Sequence, residues 1–191
     1  MNQSNKLISI IIPTHNSEEF IHETFNSILI QDINLEILIA DGSSKDNTIE
    51  IINKYNKYLN IKIISVSDKG QSNAINKALN HVKTPYFLWL NSDDVILPNM
   101  IKEFIKFIKD NKNNKYLYIS ADNFDFNRSK ILKYNFGSVQ RKLFIHNGIW
   151  IGPFPAIIWN TELFRNLGGL REDLNYSMDF ELIQRFCKVN K

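Results

Sequence analysis

The sequence predicts an α/β protein built on a doubly wound, mostly parallel sheet with helices on both faces. Short apolar runs alternate four times with helical patterns over about the first hundred residues, which is typical of right-handed crossovers between parallel strands. Each apolar run ends in a sharp polar turn. A chain of 191 residues fits a single domain and can bury a substantial core without disulfide or metal staples.

Four apolar runs are predicted to form the parallel strands. The first is continuously apolar and β-branched until Pro13 ends it, which suits a strand that is buried on both faces. The other three runs are of similar length and are separated by helical patterns. The predicted strands are residues 7–12, 36–40, 61–66 and 86–90.

A predicted helix follows each of these strands. Ser17 is expected to cap the first helix, Asp46 the second, and Pro98 is expected to open the fourth. The third should cover residues 72–81. The expected buried positions of the first helix are Phe20, Thr24, Phe25, Ile28 and Leu29. Those of the second are Ile49, Ile52 and Tyr55, and those of the fourth are Met100, Ile101, Phe104, Ile105 and Ile108.

Beyond residue 116 the alternation becomes less regular. The patterns there predict strands at residues 116–121 and 156–159, a hairpin within 123–135 and a short helix at 139–145. A further helix, residues 161–167, should end at Gly168-Gly169, and a last helix should cover residues 178–189.

Composition points to no charged macromolecular partner and to no disulfide or membrane span. The 23 Lys and Arg residues nearly balance the 20 Asp and Glu residues, so no nucleic-acid or acidic-membrane partner is demanded. Cys187 is the single cysteine, which excludes an internal disulfide and fits a reducing compartment. No segment approaches the ~20 apolar residues of a membrane span. We therefore expect a soluble, cytoplasmic protein, and peripheral docking at the inner face of the membrane stays open.

Polar turns follow the carboxyl ends of the four predicted strands, where open parallel sheets bind their ligands. These turns are residues 14–16, 41–44, 67–70 and 91–94. In the last turn, Asp93 and Asp94 are adjacent carboxylates, which repel each other and lose hydration unless a cation or strong donors lie opposite. Mg²⁺ and Mn²⁺ are commonly held by one or two carboxylates together with substrate phosphates. The pattern therefore predicts a divalent metal as cofactor.

Two common phosphate-binding motifs are missing from the sequence. No Gly-x-Gly-x-x-Gly follows the first strand, and no Gly-Lys-Ser/Thr loop is present. A metal at Asp93 and Asp94 would supply the counter-charge that a phosphate needs. Asp41, one strand away, could accept hydrogen bonds from a base or a ribose hydroxyl. These residues favour a nucleoside diphosphate as the ligand class.

Five segments, taken in order, carry a resemblance to a known family. They are residues 10–16, residues 39–48, residues 67–70 with Ala74 and Asn76, residues 88–94, and residues 167–170 with 178–182. They resemble the opening strand, the Asp-Gly-Ser-x-Asp-x-Thr segment, the third block, the DxD region and the late Gly-Gly-Phe and Glu-Asp blocks of the family 2 inverting glycosyltransferases. That family has the GT-A fold of the nucleotide-diphospho-sugar transferase superfamily, and the resemblance covers nearly the whole chain.

The resemblance implies a metal-dependent, inverting transfer of a sugar from a nucleotide diphosphate donor, with a UDP-sugar as the expected donor. The acceptor would be a hydroxyl of a glycan or lipid-linked saccharide in surface polysaccharide synthesis. Asp179 matches the general base, and Asp93 and Asp94 match the metal-binding region. Trp150 adjoins an irregular Gly-Pro turn and could stack on the acceptor sugar. The expected donor-binding residues are Pro13, Thr14, Asp41, Asp68, Lys69, Asn91 and Asp93.

Three positions depart from the family pattern. Asn91 takes the first place of the Asp-x-Asp-Asp pattern, so which of the two following carboxylates binds the metal directly stays open. Met178 precedes Asp179, where Glu is frequent in the family. Ile75 stands where many members carry an arginine near the diphosphate, and Lys69 is the candidate substitute.

We expect a single glycosyltransferase domain. Residues 1–97 would form its nucleotide-sugar-binding half and residues 98–191 an acceptor-side half that is truncated at the C-terminus. Two other functions remain open. A nucleotidyltransferase on a related fold should carry a Gly-rich, Arg-containing loop after the first strand, which residues 14–16 do not match. A nucleotide-sugar-binding remnant would bind the donor without turnover.

Overall fold

The computed structural model describes residues 7–65, 69–110, 118–121, 135–138 and 157–189. Seven strands in these ranges form one sheet. They are β1 (Ile8–Thr14), β2 (Glu36–Asp41), β3 (Asn60–Ser65), β4 (Tyr86–Trp89), β5 (Tyr118–Ala121), β6 (Asn135–Ser138) and β7 (Ile157–Asn160).

The strand order in the sheet is β3-β2-β1-β4-β7-β5-β6. The first four strands along the chain pair in parallel, as the alternating pattern predicts. β7 then pairs antiparallel with both β4 and β5, and β6 pairs antiparallel with β5. Two reversals bring β5 back into the direction of β4, so only β6 and β7 among the described strands oppose the other five. The prediction of a mostly parallel sheet is confirmed.

Six described helices flank the sheet. They are α1 (Ile21–Leu29), α2 (Thr48–Tyr55), α3 (Gln71–Leu79), α4 (Met100–Asp110), α5 (Thr161–Asn166) and α6 (Met178–Val189). None of the helices in the described part of the chain is long and apolar enough to cross a membrane.

The sheet separates two apolar cores. Residues of α1, α2 and α4 pack in the first core, and residues of α3, α5 and α6 pack in the second. Within β1, Ile10 and Ile12 belong to the first core and Ile11 to the second. All three side chains are fully buried, which explains why this strand is apolar at every position. Helices therefore lie on both faces, and the doubly wound prediction is confirmed.

An aromatic cluster fixes the last two helices to the second face. The ring of Trp159 on β7 lies edge-on to Phe164 of α5 and Phe186 of α6, with ring centroids 5.4 and 5.2 Å away. Phe164 also meets Phe87 of β4 at 5.0 Å. Trp159 is fully buried and belongs to the core.

The predicted start of the first helix is wrong. α1 begins at Ile21, and the carbonyl of Ser17 instead accepts the backbone N–H groups of Phe20 and Ile21 in a preceding turn. The Ser17 hydroxyl lies 2.8 Å from that of Ser92 and is therefore engaged outside the helix. Phe20, expected on the buried face, is 47% exposed.

Four described elements of the less regular second half agree with the sequence patterns. β5, β7, α5 and α6 lie within two residues of their predicted bounds. The predicted hairpin at 123–135 and helix at 139–145 lie outside the described residues, apart from Asn135 at the start of β6.

Candidate active site

A cavity of about 470 Å³ opens at the carboxyl ends of β1 and β4. Its walls come from the loops after β1, β2 and β4 and from the first turn of α3. Four residues that the sequence analysis assigned to the donor line it: Pro13, Thr14, Asn91 and Asp93. The prediction that polar turns of different strands meet at one edge of the sheet holds for these loops.

Hydrogen bonds tie the loop after β1 to the loop after β2. The backbone N–H of Gly42 donates to the Thr14 carbonyl at 2.8 Å, and the N–H of Asn16 donates to the Ser44 hydroxyl at 2.9 Å. The N–H of Lys45 returns a bond to Asn16 Oδ1 at 2.8 Å. These bonds make one wall of the cavity a preformed surface.

The same two loops are joined again beyond the cavity. Asp46 accepts the backbone N–H of Thr48 at 3.0 Å and that of Glu18 at 3.1 Å. Desolvation by burial acts to raise the pKa of Asp46, but these hydrogen bonds outweigh it and hold the pKa below its ordinary value. The N-cap position of α2 is Asn47, one residue later than predicted, but Asp46 still satisfies the backbone N–H of the first helical residue and also fixes the start of the neighbouring loop.

The hydrogen bonds of His15 assign its tautomer. Nδ1 lies 2.8 Å from the carbonyl oxygen of Gly42, which can only accept, so Nδ1 carries the hydrogen. Asn16 Oδ1 accepts from the N–H of Lys45, so its Nδ2 must face His15 Nε2, 3.2 Å away. A neutral imidazole satisfies both contacts. His15 therefore serves mainly to join the loops that form the cavity wall.

Asp41 lies directly behind this wall. It is 3% exposed and accepts the Ser44 hydroxyl at 2.6 Å, the Ser44 N–H at 3.2 Å and the Thr14 hydroxyl at 3.4 Å. Its neighbour Gly42 lines the cavity, whereas Asp41 is not among the described residues that line it. In this geometry the carboxylate orients Thr14 and Ser44.

Asn91 organises the turn after β4. Its Oδ1 accepts from Gln71 Nε2 at 2.8 Å and from Trp89 Nε1 at 2.9 Å. Two donors on this oxygen fix the orientation of the amide, so Nδ2 must point the other way. It donates to Asp94 Oδ2 at 2.9 Å. Asn91 therefore sets the direction of a carboxylate of the predicted metal site.

Asp93 and Asp94 are the carboxylates that the sequence analysis assigned to a metal. Burial raises the pKa of Asp94, the charge of Asp93 raises it further, and hydrogen bonds from Asn91 oppose both effects. Neither carboxylate forms an ion pair with a lysine or arginine in the described part of the chain. The described residues include no group of three or more potential metal ligands of the His, Cys, Asp and Glu types. Two carboxylates fit a hard divalent cation whose remaining ligands come from substrate and water.

Asp179 lies in the first turn of α6, after Ser177, whose φ is +57°. Its Oδ1 accepts the backbone N–H of Phe180 at 2.7 Å. The side chain is half-buried and is not among the described residues that line the cavity. Lys69 lies exposed just before Gly70. Asp68 and Trp150 lie outside the described residues.

The sequence analysis did not assign four of the cavity residues to the site. Gln71 and Ala74 come from the first turn of α3, and Ser17 and Phe20 from the turn before α1. A signal for Gln71 was present, because a polar residue directly after a glycine at a strand-to-helix turn lies near the carboxyl end of the sheet. No sequence signal placed Phe20 in the cavity, since an aromatic residue at helical spacing is more often buried.

The comparisons with known proteins agree with this architecture. The family model described as "Glycosyl transferase family 2" matches residues 9–168. The poly(ribitol-phosphate) beta-N-acetylglucosaminyltransferase TarS of Staphylococcus aureus is 32% identical over 114 residues, which cover 57% of this chain and 20% of TarS. An uncharacterized glycosyltransferase of Rickettsia prowazekii is 29% identical over 199 residues, 96% of this chain and 59% of that protein.

Solved structures show the same fold. The S. aureus TarS fragment 1–349 in complex with UDP-GlcNAc superposes with a TM-score of 0.77 at 24% identity over 95% of this chain and 53% of that chain. The mannosyltransferase PcManGT of Pyrobaculum calidifontis, in complex with GDP-Man and Mn²⁺, gives a TM-score of 0.67 at 18% identity, over 94% of this chain and 52% of that chain. The chain thus spans about half the length of these solved chains.

The predicted GT-A-type fold is confirmed by these structural matches. The family match extends from β1 to the residues that follow α5, well over half of the chain, and includes the whole cavity. This chain belongs to glycosyl transferase family 2.

Proposed function

We propose that this chain carries the catalytic part of a metal-dependent, inverting glycosyltransferase. Its donor would be a nucleotide diphosphate sugar, with a UDP-sugar as the first candidate, and its acceptor a hydroxyl of a glycan or lipid-linked saccharide in surface polysaccharide synthesis. The observation that carries the proposal is the cavity at the carboxyl ends of β1 and β4, where the polar residues Thr14, Asn91 and Asp93 meet. Family membership and the UDP-GlcNAc complex of TarS support this assignment.

The nucleoside is assigned to the wall formed by the loops after β1 and β2. Pro13 and Thr14 line the cavity there, and Asp41 supports Thr14 from behind. The wall is held by hydrogen bonds within the protein, so binding a base and ribose against it requires little ordering of the loops. Asp68 and Lys69 remain assigned to the donor on the sequence resemblance.

The diphosphate is assigned to the opposite side of the cavity, near Asp93. Asp93 and Asp94 would hold Mn²⁺ or Mg²⁺, and Asn91 would keep Asp94 oriented through its bond to Oδ2. When bound, the metal supplies positive charge that offsets the charge developing on the departing diphosphate. Its positive charge would also offset the burial of Asp94 and the repulsion from Asp93, which together raise the pKa of Asp94.

The reaction is a single displacement at the anomeric carbon. The acceptor oxygen forms a bond to that carbon while the bond from the carbon to the diphosphate oxygen breaks, and its electron pair leaves with the diphosphate. Asp179 is assigned as the general base that takes the proton of the acceptor hydroxyl. Attack from the side opposite the diphosphate inverts the anomeric configuration. Trp150 remains the residue proposed to stack on the acceptor sugar.

The proposal extends to organisation and location. Residues 1–97, which supply most of the cavity, would form the donor half, and residues 98–191 the acceptor half. We place the enzyme in the cytoplasm, with a membrane-linked acceptor reached at the inner face of the membrane.

Turnover tests the proposal against donor binding without catalysis. UDP release from a panel of UDP-sugars is measured with Mn²⁺ for the wild type, for Asp179→Asn and for Asp32→Asn, an exposed control at the opposite end of the sheet. We expect at least a hundredfold loss in Asp179→Asn, because removing a general base costs about 10²–10⁴ in rate. The control should keep wild-type activity. UDP binding without release on any donor, including with added glycan acceptors, would instead indicate a binding protein.

A further inference from the structure

Asn76 joins the donor side of the molecule to the loop that follows α5. This residue lies in the middle of α3, whose first turn lines the cavity. Its Nδ2 donates to the Leu170 carbonyl at 2.9 Å, and its Oδ1 accepts the Leu170 N–H at 2.9 Å. Only a side-chain amide offers a donor and an acceptor in this arrangement. The side chain therefore pairs with the loop backbone as a neighbouring strand would.

Glu172 strengthens the same link. Its two carboxylate oxygens accept Asn76 Nδ2 at 3.0 Å and Asn73 Nδ2 at 2.7 Å. The hydrogen bond from Asn76, followed by that from Asn73, lowers the pKa of Glu172. Two residues of α3 thus hold one carboxylate of the loop.

Gly169 shows how closely the loop approaches α3. A Cβ at this position would lie 2.5 Å from Asn76 Oδ1, and its φ is +71°, in the left-handed region. Gly168 beside it also has a positive φ, +85°, but a Cβ there would meet nothing within 4 Å. The contact with Asn76 therefore requires glycine at 169 for steric as well as conformational reasons.

Arg185 anchors α6 to the same loop. Its guanidinium donates to the carbonyls of Leu167 and Gly169, the latter at 2.7 Å. It also forms a bidentate ion pair with Glu181, with N···O distances of 2.7 and 2.8 Å, and both side chains are largely buried. Glu181 lies two residues after Asp179 in the first turn of α6.

We propose that Asn76 and Arg185 are positioning residues for Asp179. Asn76 binds the loop 167–172 from α3, and Arg185 binds it from α6. The loop therefore connects α3, which lines the donor cavity, rigidly to α6, which carries Asp179. The inference rests on the proposed function in one respect, the role of Asp179 as the base. Neither residue is assigned a contact with substrate, and both act through the placement of α6.

A double-mutant cycle tests whether Asn76 acts through Asp179. Asn76→Ala, Asp179→Asn and the double variant are compared by the rate of UDP release from UDP-GlcNAc with Mn²⁺ and by UDP affinity in calorimetry. We expect Asn76→Ala to lower the rate at saturating donor at least tenfold while the Kd for UDP changes less than threefold. In the Asp179→Asn background the same substitution should lower the rate less than twofold. The base is already absent there, so its displacement can have no further effect on the rate. Asn80→Ala, an exposed position at the end of α3, is the matched control.

Amide hydrogen exchange provides a second measurement that does not depend on turnover. Asn76→Ala and Arg185→Lys should each raise exchange in residues 167–181 at least tenfold and leave β1 and α1 unchanged. Unchanged exchange in that segment, or a full loss of rate that persists in the Asp179→Asn background, would overturn the inference. If Asp179→Asn alone left UDP release at the wild-type rate, the assigned base would be wrong. A localised increase in exchange would still show that Asn76 and Arg185 hold the loop 167–172 in place.

Discussion

At the scale of single residues, Asn91 explains a departure from the family pattern. Its amide uses the oxygen for Gln71 and Trp89 and the nitrogen for Asp94. An aspartate could accept the first two bonds but has no hydrogen for the third. An amide is therefore the side chain that satisfies all three neighbours when no cation is bound.

Asn91→Asp tests this reading. A second carboxylate oxygen would face Asp94 Oδ2 in place of a donor now 2.9 Å away, so we expect a loss of about 1–3 kcal/mol in the free energy of unfolding without metal. Mn²⁺ should recover much of that loss. The measurement is urea unfolding with and without Mn²⁺, with Asn53→Asp on the exposed face of α2 as control. Equal stability of Asn91→Asp and wild type in metal-free buffer would show that the amide does not orient Asp94.

The residues of this turn could be identified from the sequence, but the separate role of each residue could not. Adjacent carboxylates after a buried strand predict a cation from charge alone, and the raised pKa of Asp94 agrees with that argument. The role of Gln71 depends on the first turn of α3 lying next to the turn after β4, which joins residues 20 positions apart along the chain. Such contacts between residues far apart along the chain leave no local pattern in the sequence.

At the scale of elements, loops rather than helices carry the preformed part of the site. The turns after β1 and β2 hold each other through backbone and side-chain hydrogen bonds, including one from the Ser17 N–H to Thr48 Oγ1 at 2.7 Å. These hydrogen bonds between the turns explain why the predicted start of α1 is wrong. Ser17 has a capping residue's chemistry, but its N–H and hydroxyl are used across the loops, and the helix begins four residues later.

The loop 167–172 should make stability depend on pH through Glu172. Hydrogen bonds from Asn76 and Asn73 depress its pKa in the folded state below the ordinary 4.5. The stability it contributes is therefore fully present above pH 4.5 and is lost as the pH falls through the lower folded-state pKa. Because the carboxylate is exposed, we expect only about 0.5 kcal/mol at neutral pH.

Glu172→Gln checks this dependence. Unfolding free energies of wild type and variant are compared between pH 7 and pH 3. The wild type should be the more stable at pH 7, and the difference should shrink once the pH is below 4.5. A difference that stays constant over the whole range would mean that the charge of Glu172 is not what holds the loop.

At the scale of the whole molecule, the parallel half of the fold was predictable and the added strands were only partly so. Alternating apolar runs and helical faces specify β1 to β4. The runs of β1, β2 and β4 are buried between two layers, whereas β3 lies at the edge of the sheet and is only partly buried. β7 reads as a strand from residues 156–159, yet its position between β4 and β5 depends on antiparallel pairing across a long separation in sequence. Pairing of that kind is set by tertiary packing and not by local periodicity.

The central claim is that the cavity binds a nucleoside diphosphate together with a divalent metal held by Asp93 and Asp94. Calorimetric titration of UDP with and without Mn²⁺ tests it most directly, using the wild type, the double variant Asp93→Asn/Asp94→Asn and the control Asp32→Asn. We expect Mn²⁺ to tighten UDP binding at least tenfold, about 1.4 kcal/mol, in the wild type and the control. The double variant should lose that gain. Metal-dependent tightening of the same size in the double variant would contradict the account.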